Sequence, residues 1–384
     1  MTRATFFKHF ELLADQPDAV AKMRELVLQL AVRGQLVEQS GKDEPAHKLV
    51  DRARKAWTER KIRDREKSEA QEPPHKLPAG WVWTCLDEIG DTNPRNEAND
   101  KSEVGFVPMK LISAGYGEPV SFEVKPWGEV KKGFTHFADG DVVLAKITPC
   151  FENGKSAVIP KLKNGIGAGT TELHVFRQYS GCVVPDYVLI FFKTPRFINE
   201  GVPRMTGSAG QKRVPWDYFA NTPFPLPPLA EQRRIVAKVD ELMALCDELE
   251  QRQQARQHAR GQLQQSTLHH LLSAREPQTF AAAWQRVRDH FHLLHDTPDA
   301  IPQLRQAILQ LAVQGRLVPQ NPKDGKAVEL LEQINGVKTK LVKAKQLRKI
   351  EQFGVVGDDE QPFAFGCARN FEHPPAGAMP LSDR

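Results

Sequence analysis

Residues 10–39, FELLADQPDAVAKMRELVLQLAVRGQLVEQ, recur without gaps as residues 291–320, FHLLHDTPDAIPQLRQAILQLAVQGRLVPQ, at an offset of 281. Seventeen of the 30 positions are identical. One supersecondary unit therefore occurs twice, and the correspondence continues more weakly through Lys42-Asp43 and Lys323-Asp324. Each copy carries helix punctuation: Asp15 or Asp296 as N-cap, Pro17 or Pro298 in the first turn, Gly34 or Gly315 at the C-terminal end. Between these signals Val20, Met23, Val27, Leu30 and Ala31 fall at helical spacing and form one apolar face. Beyond each copy a charged helical stretch, residues 46–70 and 327–352, is too polar to bury alone and is expected to flank a helical partner.

Between the copies the chain changes character. Residues 77–228 are rich in Pro, Gly, Trp and Phe, and short runs such as Val142-Val143-Leu144-Ala145 and Leu173-His174-Val175-Phe176 read as strands. Asp186 to Phe192 after Pro185, and Thr194-Pro195 as N-cap and first-turn proline, predict a helical insert. Pro223-Phe224-Pro225-Leu226-Pro227-Pro228 then gives a stiff entry to a helix from about Leu229 to Ala274 with no internal proline. Ile235, Val239, Leu242, Cys246 and Leu249 alternate spacings of four and three, as a coiled-coil seam requires. Gln253, Arg256 and Arg260 follow on the same seam, so packing should loosen there. At ~1.5 Å per residue such a helix reaches roughly 70 Å and suits a spacer.

The chain has 384 residues, enough for two or three domains. Its 53 basic and 48 acidic residues give +5, far from the basicity of a histone-like binder. No run approaches ~18 uninterrupted apolar residues, and the start, Met1 to Lys8, has no apolar core followed by a cleavage site, so a cytoplasmic protein without a membrane partner is expected. Cys85, Cys150, Cys182, Cys246 and Cys367 form no C-x-x-C pair and read as buried free thiols rather than as a zinc site or disulfide framework.

Enzyme signatures are mostly missing. Gly165-x-Gly167-x-Gly169 leads into a strand, not a helix N-terminus, so a hairpin turn is a better reading than a phosphate cradle. Asn93-Pro94-Arg95 lacks the second proline and the aromatic residue of a base-holding N-P-P-[YF] loop and reads as a plain turn. There is no P-loop and no G-x-S-x-G elbow, and His269-His270 lacks a metal-ligand pattern. No catalytic, cofactor-binding or metal-binding residue is expected.

Charge is uneven within the α+β segment. Lys76–Val130 carries 5 basic and 9 acidic residues (−4), whereas Lys131–Pro228 carries 12 and 7 (+5). The second half is the candidate phosphate-facing surface. Two of its segments mix short polar, glycine and basic residues, as close approach to a DNA groove requires. One runs from Lys146 through Thr148 and Asn153 to Lys155 and is expected to join Thr170-Thr171 through a hairpin; the other runs Arg204 to Arg213 with Ser208, Gln211 and Lys212. Asn153 and Gln211 suit adenine, and Lys212 and Arg213 suit guanine or phosphate. As isolated patterns both are more often ordinary solvated loops.

Leu77-Pro78-Ala79-Gly80-Trp81-Val82-Trp83 at the opening of this domain, Gly140-Asp141-Val142-Val143 inside it, and Pro225-Leu226-Pro227-Pro228-Leu229-Ala230-Glu231-Gln232-Arg233-Arg234-Ile235-Val236 at its close resemble the specificity subunit of type I restriction-modification systems. The resemblance covers about residues 1–350. It implies an α+β protein in which one α/β target recognition domain joins long helices that form an antiparallel coiled-coil spacer. The expected layout is an N-terminal helical arm (1–76), the recognition domain (77–228), the spacer helix (229–275), a second arm (276–352) and a tail (353–384). It also implies double-stranded DNA as ligand, with methyltransferase (modification) subunits and a restriction and motor subunit as partners. S-adenosylmethionine and ATP with Mg would sit on those partners and not on this chain. Such subunits carry two recognition domains, yet no second G-W-x-W opening follows the second arm here. A truncation and a half-subunit that dimerises through its helices both fit, with the second favoured. A non-catalytic helical scaffold whose α+β domain binds a protein or peptide is the alternative from another class.

Overall fold

The computed structural model describes residues 18–59 and 75–347 apart from Ser180, Ala209, Asp296 and Gln320. Asp15, Pro17, Asp296, Cys367, residues 60–70 and 348–352 of the charged stretches, and the 353–384 tail lie outside them. The described chain forms two compact units, divided after Gln251. Together they hold twelve α-helices and ten strands in an α+β arrangement.

In the first unit the N-terminal arm is α1 (Ala19–Val32) and α2 (His47–Glu59). Helix α1 starts later than the sequence suggests, with Asp18, not Asp15, at the N-cap position. The arm turns at Gly34, whose φ of +69° is open to glycine at little cost. The Gly34 and Gln35 N–H groups donate back to the carbonyls of Ala31 and Leu30, which completes a Schellman C-cap.

The α/β domain contains β1 (Val82–Thr84), α3 (Leu86–Ile89), β2 (Gly90–Thr92), β3 (Glu103–Val107), β4 (Glu123–Pro126), α4 (Trp127–Val130), β5 (Thr135–Ala138), β6 (Val142–Ala145), β7 (Ser156–Val158), β8 (Ile166–Gly169) and β9 (Leu173–Gln178). It continues through α5 (Pro185–Phe192), α6 (Pro195–Gly201), α7 (Trp216–Asn221) and β10 (Phe224–Leu226). One antiparallel sheet has the order β2-β9-β6-β7; a mixed sheet has the order β4-β3-β8-β5, with β3 and β8 parallel. Strand β6 is apolar throughout because both its faces are buried: Val142 and Leu144 enter one core, Val143 and Ala145 another. The expected helical insert is present, and the Thr194 hydroxyl caps α6 by accepting from the Phe197 N–H at 3.3 Å.

The glycine cluster is not a hairpin turn. Gly167 and Gly169 lie inside β8, where a Cβ on Gly167 would stand 2.4 Å from the Gly105 carbonyl oxygen. Close strand approach explains Gly167 and Gly169, whereas Gly165 serves a turn before β8 at φ +73°.

The opening and closing motifs of the domain meet. β1 and β10 pair antiparallel, Val82 against Leu226 and Thr84 against Phe224. The fully buried Gln232 side chain seals the junction: its amide donates to the Pro227 carbonyl at 2.9 Å and its carbonyl accepts from the Val184 N–H at 2.8 Å. Gly80 and Trp81 do more than open the domain. The Gly80 carbonyl accepts from the Ala46 N–H, and the Trp81 ring packs in one core with Val27, Leu28, Leu49 and Val50 of the arm. The stretch after the first repeat therefore seats its apolar side on the α/β domain, beside α3, and does not merely flank a helical partner.

Helix α8 (Leu229–Ser273) follows. On the seam read from sequence, Ile235, Val239 and Cys246 are buried, whereas Arg256 is exposed, as its charge demands. The second unit adds α9 (Pro277–Asp289), α10 (Phe291–His295), α11 (Ala300–Val313) and α12 (Ala327–Lys343). Its core joins Leu271, Ala283, Val287 and Leu311. Asp299, not Asp296, holds the N-cap position of α11, and Gly315 repeats the Gly34 turn at φ +66°. No helix among the described residues is long and apolar enough to cross a membrane.

Candidate nucleic-acid interface

The two polar segments stand 50 to 60 residues apart in sequence, and the fold lays them side by side. Ile147 bridges Arg213, and Arg213 bridges Thr206. The Thr148 N–H donates to the Lys212 carbonyl at 2.9 Å, and the Val214 N–H to the Lys146 carbonyl at 2.8 Å. The Lys146 N–H in turn donates to the Glu172 carbonyl, which brings Thr170 and Thr171 to the same cluster. That last junction comes from the pairing of β6 with β9, Ala145 against Leu173, and not from the expected hairpin. Two further strands intervene in the chain.

Asn153, Thr171, Arg204, Ser208, Gln211 and Lys212 are exposed on this cluster; Lys146, Thr148, Lys155, Thr170 and Arg213 are half-buried. Two of the residues assigned from sequence are engaged or turned inward within the chain. The Arg213 guanidinium is engaged within the chain, its Nε and Nη2 donating to both carboxylate oxygens of Glu172 at 2.8 and 2.7 Å and its Nη1 to the Gln211 carbonyl. Its geometry is that of a brace between the loops. The Thr148 hydroxyl oxygen is buried without a hydrogen-bond partner, where the backbone bridges to Lys212. Arg204 lies with its guanidinium carbon 5.1 Å from the centroid of the Tyr218 ring, which limits its freedom without burying it.

Electrostatics follow from this packing. The Arg213 hydrogen bonds hold the Glu172 carboxyl below the usual range. Burial lowers the Lys146 amine, an effect that the nearby Glu172 charge offsets in part. Three supporting residues carry no sequence signal. His174, under the loops, is stacked on Phe219 at 4.8 Å, and its Nε2 lies 3.0 Å from the Val214 carbonyl. Lys193, at the end of α5, donates from Nζ to the carbonyls of Ser113, Ala114 and Gly154 at 2.9 to 3.0 Å, so one ammonium ties the turn after Asn153 to a neighbouring loop. Trp216 is exposed beside the cluster, its Nε1 donating to the Thr92 hydroxyl at 3.0 Å. Asn93 behaves as a structural turn, exchanging hydrogen bonds with Val175 through both its backbone and its side chain.

Burial, aided by the Lys146 charge, lowers the His174 pKa to about 4. The unfolded chain binds a proton near pH 6.5 that the folded chain refuses until about pH 4. Stability from this group is therefore present above pH 6.5 and lost as pH falls through that window, by an amount on the order of 3 kcal/mol. Unfolding midpoints measured from pH 7 to pH 4 should fall accordingly, and His174→Gln should flatten the curve between pH 6.5 and 4.

Among the described residues no group of three His, Cys, Asp or Glu side chains is placed to hold a metal ion. The arrangement offers directed hydrogen-bond donors and acceptors on a basic rim, chemistry suited to recognition.

Residues 78–256 match the family model described as the type I restriction modification DNA specificity domain. Over 352 residues, 90% of this chain, the sequence is 45% identical to the type I restriction enzyme EcoAI specificity subunit of Escherichia coli, covering 60% of that protein. The EcoEI specificity subunit of Escherichia coli is likewise 45% identical over 352 residues, with 59% covered. The chain thus spans about three-fifths of the length of the curated relatives it matches. Among solved structures, the HsdS subunit from Thermoanaerobacter tengcongensis shares 28% identity over 51% of this chain and 50% of that one, with a TM-score of 0.43.

Proposed function

Residues 78–256 belong to the type I restriction modification DNA specificity domain family, and from that premise we propose that the chain selects the DNA sequence on which a type I restriction-modification complex acts. In this reading it recognises one half of a bipartite double-stranded target and performs no chemistry itself. Methyltransferase subunits dock on its helices and bring S-adenosylmethionine; a restriction and motor subunit brings ATP and Mg. The assembly works on cytoplasmic DNA.

The observation that carries the proposal is the convergence of two sequence-distant loops on one exposed cluster, cross-braced by the bridge at Ile147 and Arg213. Asn153 and Gln211 would read base edges, while Lys155, Arg204 and Lys212 would position phosphates. Thr171 and Ser208 would adjust the fit through short hydroxyls. Arg213, paired with Glu172, would hold the reading loops in register and not touch a base.

Selection from a randomised duplex pool by the chain assembled with methyltransferase subunits tests the proposal. One enriched half-site is expected, and its base preferences should change when Asn153 and Gln211 are replaced together. Recovery of no preferred sequence would sink it. Affinity for the selected duplex should fall with salt at a log–log slope of about −0.9 per phosphate neutralised. Lys212→Met should make that slope shallower by about one unit while leaving the selected sequence unchanged.

A further inference from the structure

A lysine at a helix end ordinarily keeps its ammonium in water, since burying the charge is costly. Lys193, at the C-terminal end of α5, does the opposite. Its Nζ donates to the Ser113 carbonyl at 3.0 Å and to the Ala114 and Gly154 carbonyls at 2.9 Å each, which uses all three donors of the ammonium. Burial pulls the amine down to about 7, against the opposing charge of Glu118, so the ammonium is held in place at a cost. The three carbonyls come from two segments remote from it in sequence, the nearer 39 residues away.

Neither segment is fixed by a sheet alone. The turn that presents Asn153 lies between β6 and β7, and β7 is the edge of its sheet, so no strand supports the turn from the far side. It closes on itself, the Gly154 N–H donating to the Phe151 carbonyl at 2.8 Å and the Lys155 N–H to the Cys150 carbonyl at 3.0 Å. Asn153 is exposed one residue before the carbonyl that Lys193 holds. Residues 113–118 lie between β3 and β4 and are tied to α8, where the Tyr116 hydroxyl donates to the Asp240 carboxylate at 2.9 Å. The Ser113 hydroxyl donates to Glu118 within the same loop. A short run of hydrogen bonds thus leads from α8 through Tyr116 and Lys193 to the turn of Asn153.

We propose that Lys193 is a positioning residue for sequence recognition: by clamping the Gly154 carbonyl against a loop anchored on α8, it sets where Asn153 meets the DNA, and this rests on the reading of Asn153 as a base reader. An asparagine selects adenine through paired bonds to the base edge, and such bonds weaken steeply as donor and acceptor leave alignment. A clamp on the neighbouring peptide therefore acts on discrimination at one base pair. A lysine that only satisfied buried carbonyls would act on stability, and on all duplexes alike.

The test uses the full chain assembled with methyltransferase subunits. Affinities are measured for duplexes that differ only at the base pair whose preference Asn153→Ala relaxes. Lys193→Met should reduce discrimination at that base pair about tenfold, with the preferences at other positions kept. Adding it to Asn153→Ala should cost no further discrimination there, since the two changes act through one contact. Tyr116→Phe removes a single hydroxyl and should reduce the same discrimination about threefold; it carries the test if Lys193→Met does not fold. Unaltered preference at that base pair in either folded variant would overturn the proposal, as would an equal loss across all the duplexes or additivity with Asn153→Ala. If Asn153→Ala itself relaxes no base pair, the reading of Asn153 fails and the clamp falls with it.

Discussion

Trp81→Ala is expected to destabilise the first unit by about 3–5 kcal/mol, the range for emptying a buried tryptophan site. The ring is 6% exposed and joins three layers: the arm through Val27, Leu28 and Leu49, the domain through Tyr187 at 6.4 Å, and the turn at Gly34, where a Cβ would already lie 3.0 Å from its edge. Removing it leaves a cavity in the core that the arm and the domain share. Since domains are stable by only about 5–15 kcal/mol, the midpoint of thermal unfolding should drop by about 10 °C. Limited proteolysis should open residues 18–59 first. An unchanged midpoint would mean that the arm is held by its ion pairs, such as Arg24 with Asp247 and Glu250, and not by its apolar face.

The second large effect is expected at Arg213. Arg213→Ala should weaken binding of the selected duplex at least about tenfold, although Arg213 is assigned no base contact. Two causes combine. The bidentate brace to Glu172 is lost, so the loop carrying Gln211 is no longer tied by this side chain to the turn at Thr170 and Thr171. The Glu172 carboxylate, no longer neutralised, faces an incoming phosphate with a like charge. Arg213→Ala combined with Glu172→Gln should recover part of the affinity and keep the selected sequence. A direct reader would behave otherwise: the double variant would gain nothing, and preference would relax at one base position. Fluorescence anisotropy at fixed salt, with the pool selection repeated on both variants, separates the two.

What the sequence made legible was local or periodic. The repeat is a direct match of two segments, and the proline-free helix after Pro228, the Thr194 cap and the two polar segments depend on neighbours within a few residues. Helix starts at Asp18 and Asp299 were misjudged by three residues because an earlier aspartate followed by proline satisfies the same rules. The seat for α2 was hidden for a different reason: its polar face dominates the composition, while among the described residues Ala46, Leu49, Val50 and Ala53 are the buried ones there. Loop convergence could not be read at all, since it depends on the non-sequential sheet order β2-β9-β6-β7, which places Glu172 beside Lys146. The same order conscripts Arg213 as a brace. Lys193 looks like any surface lysine until three carbonyls are found around its nitrogen.

The antiparallel meeting of Val82–Thr84 with Phe224–Leu226 means that the polypeptide enters and leaves the α/β domain through a single doorway. Everything between is a cassette. A foreign head cut at those two short strands could be spliced in while the helices outside keep their register, which would make new DNA targets accessible by exchange of one contiguous segment rather than by coordinated change along the whole chain.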